Sequence, residues 1–217
     1  MFLMQSGSDL QFRIIYKMKL ANNPLWKYHK CKKCGLYAFR KNVVIGEGDF
    51  PSDILFIGEA PGKSEDLLSR PFIGPSGRIF REGIKRASER TGIVPSYYIT
   101  NTVGCRPTDE YHGKNREPMK EEIVSCFPRL RETERLVNPK RIVLLGQVAQ
   151  YYCGSHFPNS LKLLHPSYLL RQGGIECSEF RNFVRELSDL FLEVGGKVVS
   201  KPKRMIRRTR KKKRKKS

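Results

Sequence analysis

Three side chains in this 217-residue chain sit where the pattern around them suggests chemistry: Glu59, Asn101 and His165. Ile54-Leu55-Phe56-Ile57 runs straight into Gly58-Glu59-Ala60-Pro61-Gly62. A short apolar run that stops at glycine reads as a buried strand of a parallel sheet. Ligands of open α/β sheets sit just beyond the carboxyl ends of such strands, so Glu59 stands at the mouth of an expected pocket. Phe72 follows in a Pro-Phe-Ile-Gly turn and offers a ring to cover that pocket. Asn101 closes a second predicted strand, Tyr97–Asn101, with an amide that both donates and accepts. His165 follows a fourth short strand, the last along the chain, over Leu161–Leu164. Taken singly, Asn101 also suits an ordinary turn and His165 an ordinary structural role. Their shared position at strand ends distinguishes them, and His29, His112 and His156 lack it.

Six cysteines form the second constellation. In a chain without a signal-peptide core they point to metal or redox chemistry before disulfides. Cys31 and Cys34 make a C-x2-C pair followed by glycine, and Cys105 and Cys126 are separated by 20 residues. By spacing alone four thiolates suit tetrahedral zinc and an iron–sulfur cluster equally. Cys153 and Cys177 read as small buried apolar residues.

One attractive motif is excluded. Gly58 to Ser64 reads GEAPGKS, close to a phosphate-binding P-loop. That loop needs four residues between its first glycine and the Gly-Lys pair, and here there are three. Pro61 also lacks the N–H that a phosphate cradle uses.

The elements that must position these residues alternate strand and helix. Gly77–Arg90 carries Ile79, Phe80, Ile84 and Ala87 at helical spacing, with a basic outer face. Glu121–Leu136 reads as a helix broken by Pro128. Arg141–Gly146 is the clearest buried strand, and a helix follows over Val148–Cys153. Glu179–Val194 is amphipathic, with Phe180, Phe183, Val184, Leu187, Leu190 and Phe191 as its apolar stripe. Gly195-Gly196 ends that helix and the domain.

Composition sets the outer limits. Apolar residues make up 39%, enough for one core, and no segment approaches the ~20 apolar residues of a membrane span. The expected protein is cytoplasmic. Net charge is +21, and Lys197 to Lys216 holds 13 Lys or Arg and no acid. Removing those charges leaves +8, so the remainder is basic too and calls for a polyanionic partner. The expected organisation is an N-terminal extension over 1–23, one domain over 24–196, and a basic disordered tail over 197–217.

The motifs resemble those of the iron–sulfur uracil-DNA glycosylases of prokaryotes and their viruses, family 4. The resemblance rests on Gly58-Glu59-Ala60-Pro61-Gly62-Lys63-Ser64-Glu65-Asp66 with Arg70-Pro71-Phe72-Ile73-Gly74 behind it. It continues in Thr100-Asn101 with Cys105-Arg106-Pro107, and in His165-Pro166-Ser167-Tyr168-Leu169-Leu170-Arg171. It covers about Cys31 to Phe191. The loop between Cys105 and Cys126 is longer than the family's, and the basic tail lies outside its core.

The resemblance implies a three-layer α/β sandwich, a four-stranded parallel sheet with helices on both faces. It implies a [4Fe–4S] cluster on Cys31, Cys34, Cys105 and Cys126, and a monomer acting on uracil in single- or double-stranded DNA. Phe72 would stack on the flipped base, Asn101 would read its edge, and His165 would donate to O2. Ala60 and Pro61 would line the pocket. Related families carry a catalytic Asp where Ala60 stands, so Glu59 is expected to position water and face the cationic sugar. Glu65 would close the pocket at uracil C5, or serve only as an acid at a helix start. Tyr168, Leu169, Leu170 and Arg171 would lie along the minor groove, with Leu169 or Leu170 as the wedge. The rival expectation is a DNA-binding protein on a glycosylase fold with lost or altered base specificity.

Overall fold

Strand β2, Ile54–Gly58, has all five residues buried and forms the middle of the molecule. Its side chains alternate between two faces. Ile54 and Phe56 point into one apolar cluster, Leu55 and Ile57 into another. A strand buried on both sides needs a helical layer over each face. The computed structural model describes residues 22–199. Most of the predicted extension and tail, with the apolar stretch Phe12–Tyr16, lies outside those residues.

The sheet has five strands in the order β1 (Glu47–Gly48), β4 (Tyr97–Asn101), β2, β5 (Arg141–Leu145), β6 (Leu161–Leu163). Four of them, β4, β2, β5 and β6, are parallel, as expected. The fifth, β1, is a two-residue antiparallel edge on β4 that the sequence does not announce. Its residues Glu47 and Gly48 have no apolar pattern that would mark a strand. The register aligns Gly58 with Asn101 and Leu145 with Leu163, so the parallel strands end at one rim.

Helix α1 is Lys63–Leu68, α2 is Pro75–Thr91 and α3 is Lys120–Val137. Helix α4 is Gly146–Cys153, α5 is Pro166–Arg171 and α6 is Ser178–Val194. One face of the sheet is covered by α2, α5 and α6, where Phe80, Ile84, Phe183 and Leu187 meet Phe56, Ile99 and Val143. The other is covered by α3 and α4, where Ile123, Leu130 and Val148 meet Leu55, Ile57 and Leu144. Each fully buried side chain of this size contributes ~1.5–3 kcal/mol through its removal from water.

Two expectations change. Helix α3 is not broken at Pro128 but runs through it. The proline forfeits one backbone bond, while Ile123, Leu130, Thr133 and Val137 anchor the helix on both sides of it. The ordered chain also continues past Gly196. Lys197 and Val198, assigned to the tail by composition, form β7 and pair with β3, Ile93–Val94. Among the described residues no helix is long and apolar enough to cross a membrane.

Candidate active site

The common rim of β2, β4 and β6 surrounds a cavity of about 180 Å³. That is below the ~300–1,000 Å³ of sites for drug-sized ligands and suits a single small ring. Glu59, Ala60 and Pro61 line it from the turn after β2, and Asn101 lines it from the end of β4. His165 lines it from the start of α5, Glu65 from α1 and Phe72 from the turn before α2. Three distant segments therefore converge, as their places at strand ends lead one to expect.

Phe72 is held in an unusual conformation, with φ +53°. For a non-glycine residue this region costs ~1–3 kcal/mol and persists only where its surroundings impose it. Here the surroundings are explicit. Glu65 Oε1 accepts the Ile73 and Gly74 amides at 3.0 and 2.7 Å. Arg81 donates to the Phe72 and Pro71 carbonyls at 3.0 and 3.2 Å. Glu47 in β1 accepts from Arg70 through two bonds and also pairs with Arg81. Gly77 lets α2 begin against this turn, because a Cβ there would lie 2.1 Å from the Phe72 carbonyl carbon. Glu65 thus clamps the aromatic turn besides lining the pocket.

Glu59 is half-buried. Burial pushes its carboxyl above the ordinary carboxylate value, the nearby Glu117 charge adds to this, and Arg171 opposes it. The Glu59 carbonyl is fixed by Thr102, whose hydroxyl donates to it at 2.5 Å, and by the Val103 amide at 3.4 Å.

His165 precedes α5 and caps it. Its Nδ1 accepts the Ser167 amide at 3.2 Å and the Ser167 hydroxyl at 2.7 Å. A backbone N–H can only donate, so Nδ1 is the acceptor and the neutral ring carries its proton on Nε2. Burial, helped by the Arg171 charge, lowers the histidine to about 4. Near neutral pH it is an uncharged hydrogen-bond donor.

The polar loop after Cys105 lines the pocket with Asn115 and Arg116, which no sequence motif marks, beside Pro107 of the Cys105-Arg106-Pro107 motif. Arg106 donates to Asn115 Oδ1 at 2.6 Å and to the Gly113 carbonyl. Arg116 forks onto Glu122 at 2.7 and 2.9 Å and reaches Asp109 at 2.6 Å. These forks hold the loop along the same cavity that Glu59 lines, and no local periodicity signals them.

Of the four residues offered for the DNA groove, Tyr168, Leu170 and Arg171 are exposed. Leu169 is not: it is 0% exposed and packs in the core with Phe80 and Phe183. Neighbouring residues on a helix point about 100° apart, and the packing of α5 turns Leu169 inward and leaves Leu170 exposed, so of the two leucines only Leu170 is open to a partner.

The four cysteines gather at one place on the α3 face. Cys31, Cys105 and Cys126 line a void of about 20 Å³, and Cys34, Cys105 and Cys126 share one apolar cluster. Gly104 N–H and Arg129 Nε each donate to Cys126 Sγ at 3.3 Å, and Arg40 donates to Cys105 Sγ at 3.5 Å. Burial pushes the Cys105 thiol up to about 12; Arg40 opposes this and the neighbouring cysteines add to it. Among the described residues no three His, Cys, Asp or Glu side chains stand at metal-binding separations. The donor set nevertheless fits a thiolate-ligated centre, since N–H groups directed at sulfur stabilise thiolates. Cys153 is a buried core residue, as expected. Cys177 is half-buried, and its sulfur caps α6 by accepting the Phe180 amide at 3.3 Å.

A carboxylate, an amide, a neutral imidazole and an aromatic ring thus surround one small cavity at the rim of a mostly parallel sheet in an α/β protein. A sequence model described as the uracil DNA glycosylase superfamily matches residues 45–188. A type-4 uracil-DNA glycosylase of Pyrobaculum aerophilum is 41% identical over 119 residues, which is 55% of this chain and 57% of the relative. One from Sulfurisphaera tokodaii is 39% identical over 145 residues, 64% of this chain and 62% of the relative. One from Thermotoga maritima is 34% identical over 174 residues, 72% of this chain and 85% of the relative. The chain thus spans about three fifths of the length of the first two relatives and most of the third. It belongs to the uracil DNA glycosylase superfamily and, within it, to the type-4 family.

Proposed function

We propose that the chain is a monofunctional uracil-DNA glycosylase. It hydrolyses the bond between uracil and deoxyribose in DNA and leaves an abasic site for base excision repair. The observation that carries this reading is the small cavity lined by Glu59, Phe72, Asn101 and His165 together. The names of the relatives from three genera support it.

A base must leave the stack before its glycosidic bond can be reached. Phe72, fixed at positive φ, offers a face for the extruded ring. Asn101 is 3% exposed, and its amide matches uracil's O4 acceptor and N3–H donor. Cytosine presents the reverse pattern, so a held amide rejects it. As the bond breaks, negative charge gathers on the base and positive charge on the sugar. His165 donates to O2 as a neutral imidazole. Glu59, ionised, orients water and faces the cationic sugar; fixed groups of this kind act on charge as it develops. Leu170 occupies the gap left by the base, with Tyr168 and Arg171 along the backbone.

Cys31, Cys34, Cys105 and Cys126 would hold the [4Fe–4S] cluster usual for the family. When bound, it supplies iron–thiolate links that tie the N-terminal segment to the loop after β4 and to α3. Hydrolysis of the glycosidic bond moves no electron, so the role would be structural or in docking DNA.

The test is incubation of iron-loaded protein with uracil-containing single- and double-stranded oligonucleotides, followed by alkali. Cleavage at uracil, and not at cytosine or thymine, is expected. Tight DNA binding without cleavage would replace this reading with a binding protein on a glycosylase fold.

A further inference from the structure

Arg129 in α3 is fully buried, 3% exposed, and carries a charge it cannot lose. Its guanidinium donates to five acceptors. Nε donates to Cys126 Sγ at 3.3 Å. One terminal nitrogen donates to the Ile45 carbonyl at 3.3 Å and to Thr100 Oγ1 at 3.0 Å. The other donates to the Asn101 carbonyl at 2.5 Å and the Thr102 carbonyl at 3.3 Å. None of the five acceptors is a carboxylate. A buried guanidinium without a carboxylate needs another source of negative charge. Cys126 Sγ is the acceptor here that would carry negative charge when it ligates the cluster.

Three of the other four bonds lead to the pocket. Thr100, Asn101 and Thr102 form the end of β4 and its exit, and Asn101 lines the cavity. Thr102 in turn fixes the Glu59 carbonyl. The guanidinium therefore spans, in one planar fork, a cysteine sulfur and the backbone that presents two pocket residues.

We propose that Arg129 is a positioning residue: it couples the negative charge of the four-cysteine centre to the placement of Asn101 and Glu59, so that the centre governs how well the pocket holds uracil. This rests on the function proposed above and adds a use for the cysteine centre that needs no electron transfer.

The test uses full-length Arg129→Lys and Thr100→Val proteins beside the unmutated chain. Three quantities are measured: binding of free uracil by equilibrium dialysis, iron released to a chelator over time, and thermal unfolding. Lysine keeps the charge but cannot span the fork. Losing charge-assisted hydrogen bonds should weaken uracil binding by about tenfold and speed iron release. Thr100→Val removes one acceptor with little change of shape, so about threefold weaker uracil binding with iron retained is expected. Uracil affinity unchanged in folded, iron-loaded variants would overturn the proposal and leave Arg129 a stabiliser only. Should Arg129→Lys not fold, unchanged affinity in Thr100→Val overturns it alone. An unmutated chain that neither binds nor excises uracil removes the parent reading, and this inference with it.

Discussion

Asn101 Oδ1 and the ring edge of Phe72 meet across the bare α-carbon of Gly58. A Cβ at Gly58 would lie 2.6 Å from each of them. The residue that ends β2 is therefore a glycine because the Asn101 amide and the Phe72 ring both need its space. Gly58→Ala should fold, displace both groups by part of an ångström, and lower single-turnover excision by about 100-fold. Activity within about threefold of the unmutated protein would show that the two groups do not act together.

Glu59 gives two opposite effects in one variant. Its raised value means that folding penalises the ionised form. Its contribution to stability is thus present at low pH and is lost as pH rises through the folded value. Glu59→Gln should raise the melting temperature at pH 7, and lower excision by about 10²–10³-fold through loss of the charge facing the sugar. In the unmutated protein, excision should fall on acidification at a pH above the ordinary glutamate value of 4.5. A variant both less active and less stable at pH 7 would contradict this account.

His165 shifts in the other direction. Its folded value is lowered to about 4 from 6.5, so its contribution is complete above pH 6.5 and is lost as pH falls towards 4. His165→Asn keeps a side chain that can cap α5 and removes the titration. Unfolding measured across this window should show a shallower decline for the variant, together with a loss of excision near neutral pH.

Leu169 and Leu170 are neighbours with different duties. Leu169→Ala empties a core site and should cost ~2–5 kcal/mol in denaturant unfolding. Leu170→Ala, at an exposed position, should stay within ~0.5 kcal/mol of the unmutated protein. It should slow excision from duplex DNA more than from single strands, because only the duplex leaves a gap to fill. Equal slowing on both substrates would remove Leu170 as a wedge.

The basic terminus departs from β7, which pairs with β3 just before the amino end of β4. The pocket lies at the opposite, carboxyl end of β4. Residues 200–217 contain 12 Lys or Arg and no acid. Deleting them, while keeping β7, should flatten the log–log salt dependence of DNA binding by ~0.9 for each phosphate that is no longer neutralised. The uracil-over-cytosine preference should not change. Altered preference would mean that the terminus reaches round to the pocket.

The chain itself carries much of this design. Buried apolar runs that halt at Gly58 and Asn101 dictate parallel strands with a common rim, because such runs bury both faces and end where polar side chains resume. The same reading places Glu59, Asn101 and His165 at strand ends, and the strand order and register bring them round one cavity. Other features depend on packing between segments far apart in sequence. Whether Leu169 or Leu170 faces outward is settled by how α5 lies on α2. Pro128 is tolerated because the turns on both sides of it are anchored in the core. Asn115 and Arg116 reach the pocket only through the Arg106 and Glu122 forks, and β1 exists only because Glu47 and Gly48 lie along β4. Arg129 looks like any basic residue on a helix. Its placement between Cys126 and Asn101 follows from packing α3 against the sheet, where a fixed charge must find every one of its partners in the folded chain.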